Sequence, residues 1–523
     1  MPAGETTETF TADSARGEDV TNVRIAVIGT GFAGLGMAVR LQQEGYDDFV
    51  VLERGGSVGG TWRDNTYPGC ACDVPSHLYS LSFAPNAEWS NSFSSQPEIY
   101  EYLKGVARES GVERRVRFNC EVTDATWDDD AKVWNLTTAT GPDNQGKIRA
   151  KFVVAGIGGL IDPKLPEVPG LADFPGEVFH SARWNHDYDL EGKRVAVIGT
   201  GASAIQFVPK IQPRVGKLHL FQRTPSWIAA RGSHDFSPRR RQLYKRFPAL
   251  RKAHRSALYW SRELLTLAFI KQPKLMAVPR QAGLRHLHSQ VKDPELRRKL
   301  TPDYEFGCKR ALISNDFYPA VSQPNVEVLT EGLVEVRGNF VVGADGSERE
   351  VDAIILGTGF DVTNLPGTKI FNGRGGVNMK EMWSGAPSAN RTTTVAGFPN
   401  VFVLGGPNFA TGHMSVVEMF EHQFVYVLDA LKKVERHGLA SVEVRPEALA
   451  RFNADLDRKM AKTVWMKGGC DSWYIDASGR NSTLWPDWTF AHAKMTSEFD
   501  LSEHVVVREA DLARGAEREL AAA

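Results

Sequence analysis

Cysteine is scarce in this 523-residue chain: five residues, odd in number and scattered as Cys70, Cys72, Cys120, Cys308 and Cys470. So few imply no disulfide framework, and reduced thiols in a cytoplasmic protein are the expectation. No Cys-x-x-Cys or Cys-x-x-x-x-Cys pair occurs, which argues against a flavin disulfide reductase. No apolar run approaches the roughly 20 residues that span a bilayer; the segment Leu264–Ile270 is typical of the longest. Residues 1–20 lack the basic and apolar regions of a secretory signal and read as a disordered tail. His, Cys and carboxylates nowhere cluster at ligand spacing, so no metal is expected. Sixty-two Lys and Arg against 63 Asp and Glu leave a net charge of −1, which excludes a generalised nucleic-acid binder. At 42% hydrophobic residues the chain has ample core material, and its length predicts about three domains.

What the chain does have is a repeated octet. Arg24-Ile-Ala-Val-Ile-Gly29-Thr-Gly31 returns almost unchanged as Arg194-Val-Ala-Val-Ile-Gly199-Thr-Gly201. Each copy reads as a buried parallel strand, a glycine turn and a helix start. The first completes G-x-G-x-x-G with Gly34, a dinucleotide fingerprint whose helix end offers N–H groups to phosphate. Its next strand, Phe49–Leu52, ends at Glu53, a carboxylate suited to ribose hydroxyls and hostile to a 2′-phosphate, so FAD or NAD is expected there. The second copy ends in Ala204, and its following strand leads into Arg223 and Thr224 instead of an acid. A guanidinium at that place suits a 2′-phosphate, hence NADPH. Two dinucleotides of opposite charge logic imply that a nicotinamide reduces a flavin, which passes electrons onward.

Four further motifs carry a family resemblance. Phe174-x-Gly176-x-x-x-His180-x-x-x-Trp184 resembles the fingerprint of type I Baeyer–Villiger monooxygenases, a branch of the class B flavoprotein monooxygenases; Asn185 departs from the usual Pro or Asp. Gly60-Thr61-Trp62 through Tyr67-Pro-Gly and Asp73 matches a second family motif. Gly357-Thr358-Gly359 looks like the linker returning from the NADPH domain, and Leu404-Gly-Gly-Pro-Asn408 resembles the turn that closes over the flavin. The resemblance implies an FAD-containing, NADPH-dependent monooxygenase that converts ketones with O2 into esters or lactones, through a flavin C4a-peroxide and a Criegee adduct. It also implies Arg310 as the active-site cation and Asp73 as its partner. Lys309 would assist Arg223 at the 2′-phosphate. Trp473 would contact the nicotinamide from a mobile loop, and His180 would act in the linker between domains and not in catalysis. The segment from Tyr67 to Ser80 leans toward open-chain and aryl ketones. The rivals are an N- or S-oxygenase, which needs no Arg310, and a flavin reductase without oxygen transfer.

Cofactor contacts are thus expected at Gly29, Gly31, Phe32, Gly34, Glu53, Arg54, Gly60, Thr61, Trp62, Asp73 and Tyr79. Around the second fingerprint and the later motifs they are expected at Gly199, Gly201, Ala202, Ser203, Arg223, Thr224, Lys309, Thr358, Gly359, Asn408 and Trp473. The expected fold is α/β, with two Rossmann-like domains. The FAD domain takes 21–153 and 364–523, the NADPH domain 154–228 and 305–363, and 229–304 is a helical insert. Between Ser237 and Lys299 seventeen Lys and Arg face three acids, a net charge of +14. This reads as a solvated basic face, with steering of NADPH as one alternative and membrane association as another, the latter not expected.

Overall fold

A computed structural model describes residues 20–141, 144–362 and 366–514. Residues 1–19 of the expected tail and the 363/364 domain boundary lie outside that description. Val20, assigned to the tail, instead opens the first strand.

The first fingerprint strand, β1 (Val20–Ile28), lies inside an eight-stranded sheet. Its neighbours are β2 (Phe49–Leu52) on one side and β6 (Gln145–Ala155) on the other, both parallel to it. Beyond β2 comes β3 (Val116–Arg117). Beyond β6 the sheet continues through the antiparallel β5 (Val133–Ala139) and β4 (Glu121–Asp128). Every residue from Ile25 to Ile28 and from Phe49 to Leu52 is buried, as the unbroken apolar runs require of strands covered on both faces.

The second fingerprint strand heads a five-stranded, all-parallel sheet. It contains β7 (Glu177–His180), β8 (Arg194–Ile198), β9 (Lys217–Phe221), β10 (Val326–Leu329) and β11 (Ala353–Leu356), in the order β10-β9-β8-β11-β7. After β11 the chain returns to the first sheet, adding β12 (Phe371–Asn372) beside β4 and β13 (Val401–Val403) beside β6. One nucleotide-type sheet is therefore inserted between two parts of the other. Helix α1 (Phe32–Gln43) follows β1, and α2 (Ala204–Ile211) follows β8.

Between β9 and β10 stand four helices of six or more residues: α3 (Pro238–Arg246), α4 (Pro248–Glu263), α5 (Ala277–Gln290) and α6 (Pro294–Lys299). Near the C-terminal side α7 (Val416–Arg436) packs on α1, with Phe424 filling the space left by Gly36. No helix among the described residues is long and apolar enough to cross a membrane.

The cysteines overturn one expectation. Cys308 and Cys470 form a disulfide across 162 residues, with Cα atoms 6.1 Å apart; Cys70, Cys72 and Cys120 are buried free thiols. The pairing arises because Glu305–Arg310 runs beside Gly468–Tyr474, where the Glu305 N–H donates to Gly468 O at 2.9 Å. Sequence spacing carries no sign of that adjacency.

Candidate active site

Gly29 sits at φ +94°, and a Cβ there would meet Gly156 O at 2.6 Å. Only glycine makes this turn. Gly34 lets α1 close on the strand, since a Cβ would lie 1.9 Å from Gly29 O. Gly31 caps α1 without any side-chain hydrogen bond, leaving the helix start to an outside acceptor. Gly60 faces it bare, a Cβ there falling 3.1 Å from Gly31 Cα. A strip of backbone without side chains at a helix N-terminus fits a pyrophosphate. Phe32, Trp62 and Tyr79 gather beside it: Tyr79 packs edge-on against both other rings, and Trp62 Nε1 donates to its hydroxyl at 3.1 Å.

Glu53 is buried at the end of β2, as anticipated, but it is already engaged. Thr30 N–H and hydroxyl donate to one oxygen, and Gly55 N–H and Arg63 Nη1 (both 2.7 Å) donate to the other. A ribose must displace one of these donors; Arg63 is itself held in place by Asp64 and by Ser57 O. Sequence reasoning named Arg54 here; Arg54 is exposed, and Arg63 takes the inward place. Thr61 is exposed as well.

At the second fingerprint Gly199 repeats the turn, with φ +104° and a Cβ that would meet Gly357 O at 2.6 Å. A Cβ on Gly201 would meet nothing within 4 Å, and Ala202 beside it is exposed. Ser203 caps α2 without a side-chain hydrogen bond, so this helix start is likewise open. Arg223 is exposed just beyond β9, with Thr224 half-buried next to it. Lys309 comes within electrostatic reach of Arg223 and lies over the Tyr304 ring at 5.2 Å. Burial and the Arg223 charge lower its pKa, while Asp471 and Asp303 oppose. Two cations from separate segments thus meet where a 2′-phosphate would sit.

The motif ending in Asp73 crosses between the two sheets. Gln206 on α2 accepts from the Tyr67 hydroxyl (3.0 Å) and donates to Ala71 O (3.0 Å). Asp73, held there, meets Arg310 in a bidentate pair: Nε to Oδ2 at 2.8 Å and Nη2 to Oδ1 at 2.6 Å. Both side chains are partly buried, at 25% and 31% exposure. Burial is the largest influence and would raise the Asp73 pKa, but the Arg310 charge and hydrogen bonds, with smaller help from the backbone and Arg262, together hold the carboxyl below its ordinary range. The Asp73 charge likewise raises Arg310 against burial.

Three neighbours escaped sequence reasoning. Arg231 donates to Cys72 O and Phe93 O, and its cation acts on Asp73. Arg262, half-buried on α4, feels both Asp73 and Arg310 and has no acidic partner in an ion pair among the described residues. Tyr474 is buried and faces Arg310 electrostatically, whereas Trp473, expected to contact the nicotinamide from a mobile loop, is 48% exposed, with its ring tilted against that of Tyr474. A Lys-Arg dipeptide has a local signal; an isolated arginine in a loop or on a helix does not.

His180 ends β7 opposite Leu356 of β11. Its Nδ1 accepts from Ala182 N–H at 3.0 Å, which leaves the ring proton on Nε2, turned toward the Gly359 backbone. Burial, with a smaller push from Arg183, lowers its pKa to about 4. Phe174, Gly176 and Trp184 are packing residues: Gly176 has no room for a Cβ beside Asp352 O (2.4 Å), and Trp184 packs on Phe179 and on Phe207 of α2. Thr358 donates to Lys164 O at 2.5 Å and Gly359 O accepts from Lys164 N–H, so the linker is tied to the strand-exit segment. Asn408 differs from expectation. Its amide donates to Asn481 O and Leu484 O and its oxygen accepts from Arg480, so it clamps the C-terminal loop and has no free proton for a cofactor.

Comparison with known proteins agrees with this geometry. The family described as flavin-binding monooxygenase-like matches residues 22–264. A Baeyer–Villiger monooxygenase of Streptomyces coelicolor is 50% identical over 95% of both chains. Another from Pseudomonas aeruginosa is 49% identical over 92% of this chain and 91% of its own. Among solved structures, an NADP-bound steroid monooxygenase superposes with a TM-score of 0.82 at 29% identity, covering 93% of this chain and all of that one. The closed form of cyclohexanone monooxygenase gives 0.81 at 28% identity, covering 94% and 100%. With relatives this similar along nearly the whole length, the chain belongs to the type I Baeyer–Villiger monooxygenases, within the flavin-binding monooxygenase family.

Proposed function

We propose that the protein oxidises a ketone to an ester or lactone, consuming O2, NADPH and a proton and releasing NADP+ and water. Bound FAD, reduced by NADPH, supplies the two-electron activation of O2. The observation that carries the reading is the Asp73–Arg310 pair, which sits where the two nucleotide-type sheets meet.

Arg310 offers a permanent cation to negative charge developing on oxygen as the carbonyl is attacked. Asp73 fixes the orientation of the guanidinium through two hydrogen bonds. Arg231 and Arg262 add positive potential; Asp316 lies within electrostatic reach of Arg231, whereas Asp73 is the carboxylate that Arg262 feels. Tyr474, buried in the C-terminal segment, lies within electrostatic reach of both members of the pair. Neutral His180 keeps its Nε2 proton at the linker, a position suited to coupling the two domains and not to removing a proton from substrate.

Gly29, Gly31, Gly34 and Gly60 would take the FAD pyrophosphate, with Trp62 and Tyr79 beside the flavin. Gly199, Gly201 and Ser203 would take that of NADPH, and Arg223 with Lys309 its 2′-phosphate. In this reading 21–153 with 364–523 serve FAD and 154–228 with 305–363 serve NADPH, although β6 carries the first sheet two residues past the first limit, to Ala155. The enzyme is assigned to the cytoplasm, which the need for NADPH supports. Open-chain and aryl ketones are the first substrates to try.

Arg310→Ala tests the assignment. Ester formation, followed by product mass, falls at least about a hundredfold, while flavin bleaching by NADPH persists. Undiminished ester formation would refute it.

A further inference from the structure

Helix α4 is built inside out. Its one fully buried residue is Glu263, which accepts from Thr489 N–H and hydroxyl, both at 2.7 Å. The same inward side carries Arg255, which binds His77 O, Ser80 O and Glu418, and Tyr259, which meets Thr489 at 3.0 Å. Polar side chains therefore anchor this helix to the protein. Outward it shows Leu250, Ala253, Ala257, Trp260 and Leu264, all exposed and spaced at helical intervals. At 1.5 Å per residue they form a stripe about 21 Å long.

Exposed apolar side chains are also dense in the sequence around the stripe. Of the 21 large apolar side chains exposed among the described residues, nine fall between Leu243 and Val278. Phe490, 45% exposed, extends the stripe by packing against Trp260 at 6.4 Å. Scattered single exposures are ordinary, but a concentration of this kind marks a surface that is covered in use.

Charge identifies the cover. The stripe lies within the segment of net charge +14, and of its three acids Glu263 is buried and Glu295 is paired with Arg298. Arg239, Lys252 and Lys274 have no acidic partner among the described residues. A second copy seated on this face would set like charge against like. A bilayer with acidic headgroups supplies the opposite charge and an apolar layer to receive Trp260 and Leu264.

We infer that the α3–α5 face of the insert docks the enzyme on an anionic membrane surface, lying on the bilayer without crossing it. The test is flotation of the FAD-loaded enzyme at physiological ionic strength with vesicles of phosphatidylcholine, alone or mixed with phosphatidylglycerol. The enzyme floats with the mixed vesicles and not with phosphatidylcholine alone. A Trp260→Ser/Leu264→Ser variant and a Lys252→Glu/Lys274→Glu variant each bind at least about tenfold more weakly, with flavin absorbance and circular dichroism unchanged. Failure to float, or equal flotation of both variants, overturns the inference. So does a stable dimer in sedimentation that Trp260→Ser/Leu264→Ser dissociates, because the cover would then be a second copy.

Discussion

Arg310 and Asp73 lie 237 residues apart in sequence and share two hydrogen bonds of 2.8 and 2.6 Å across the junction of the two nucleotide-type sheets. The pair couples the sheets through a single carboxylate. Its geometry restrains the guanidinium in a plane, which a lysine could not reproduce.

Asp73→Asn removes the charge and half the fork while keeping the shape. Ester yield per NADPH consumed should fall about tenfold or more, with the lost electrons appearing as hydrogen peroxide, measured by peroxidase-coupled assay. The wild-type pair should persist to low pH. A carboxyl held below its ordinary value contributes above the unfolded pKa and is lost only as pH falls through the lower folded one. No limb of the pH–rate profile between about pH 5 and 9 should therefore belong to Asp73.

Arg262 reaches the same centre from α4. Arg262→Gln should weaken the positive potential without touching the Arg310 fork. The expected result is a fall of about tenfold in kcat/KM for the ketone, with the rate of flavin reduction by NADPH unchanged in stopped-flow absorbance. Arg262→Lys should restore much of the loss if charge is what matters.

The Cys308–Cys470 disulfide joins the segment carrying Lys309 and Arg310 to the one carrying Trp473 and Tyr474. Thiol titration in denaturant should count three thiols before reduction and five after, matching the buried free Cys70, Cys72 and Cys120 plus the released pair. Cys470→Ser should lower stability, by up to about 5 kcal/mol if the loss is one of chain entropy, read as a drop in Tm. Protein purified under reducing and non-reducing conditions should differ in the same direction.

Acid should destabilise the fold through its histidines. Burial lowers the pKa of His77 to about 3 and of His180, His413, His422 and His504 to about 4, and holds His492 well below its ordinary value. Unfolded, these rings take a proton near pH 6.5; folded, they refuse it until about pH 4. Their contribution is intact above pH 6.5 and is lost progressively as pH falls toward 4, because the unfolded state binds more protons. Tm measured from pH 8 to pH 5 should be level at first and then decline steeply; a flat profile would contradict the burial of these rings.

Much of the site was legible because its signals are local. The turns at Gly29 and Gly199, the carboxylate after β2 and the arginine after β9 are set by residues a few positions apart, and backbone sterics enforce them wherever the chain goes. The family resemblance named Arg310 and Asp73, although neither residue's own surroundings in sequence point to the other. Tertiary packing decided the rest. Tyr474 turns inward in place of Trp473, Arg63 in place of Arg54, and Asn408 spends its amide on the C-terminal loop. The cysteine bridge and the outward apolar stripe of α4 belong here too: helical periodicity shows that a face is apolar, but not which side of the helix the protein covers. Local sterics act within a few residues and can be read along the chain, whereas burial and pairing depend on which distant segments the fold brings together.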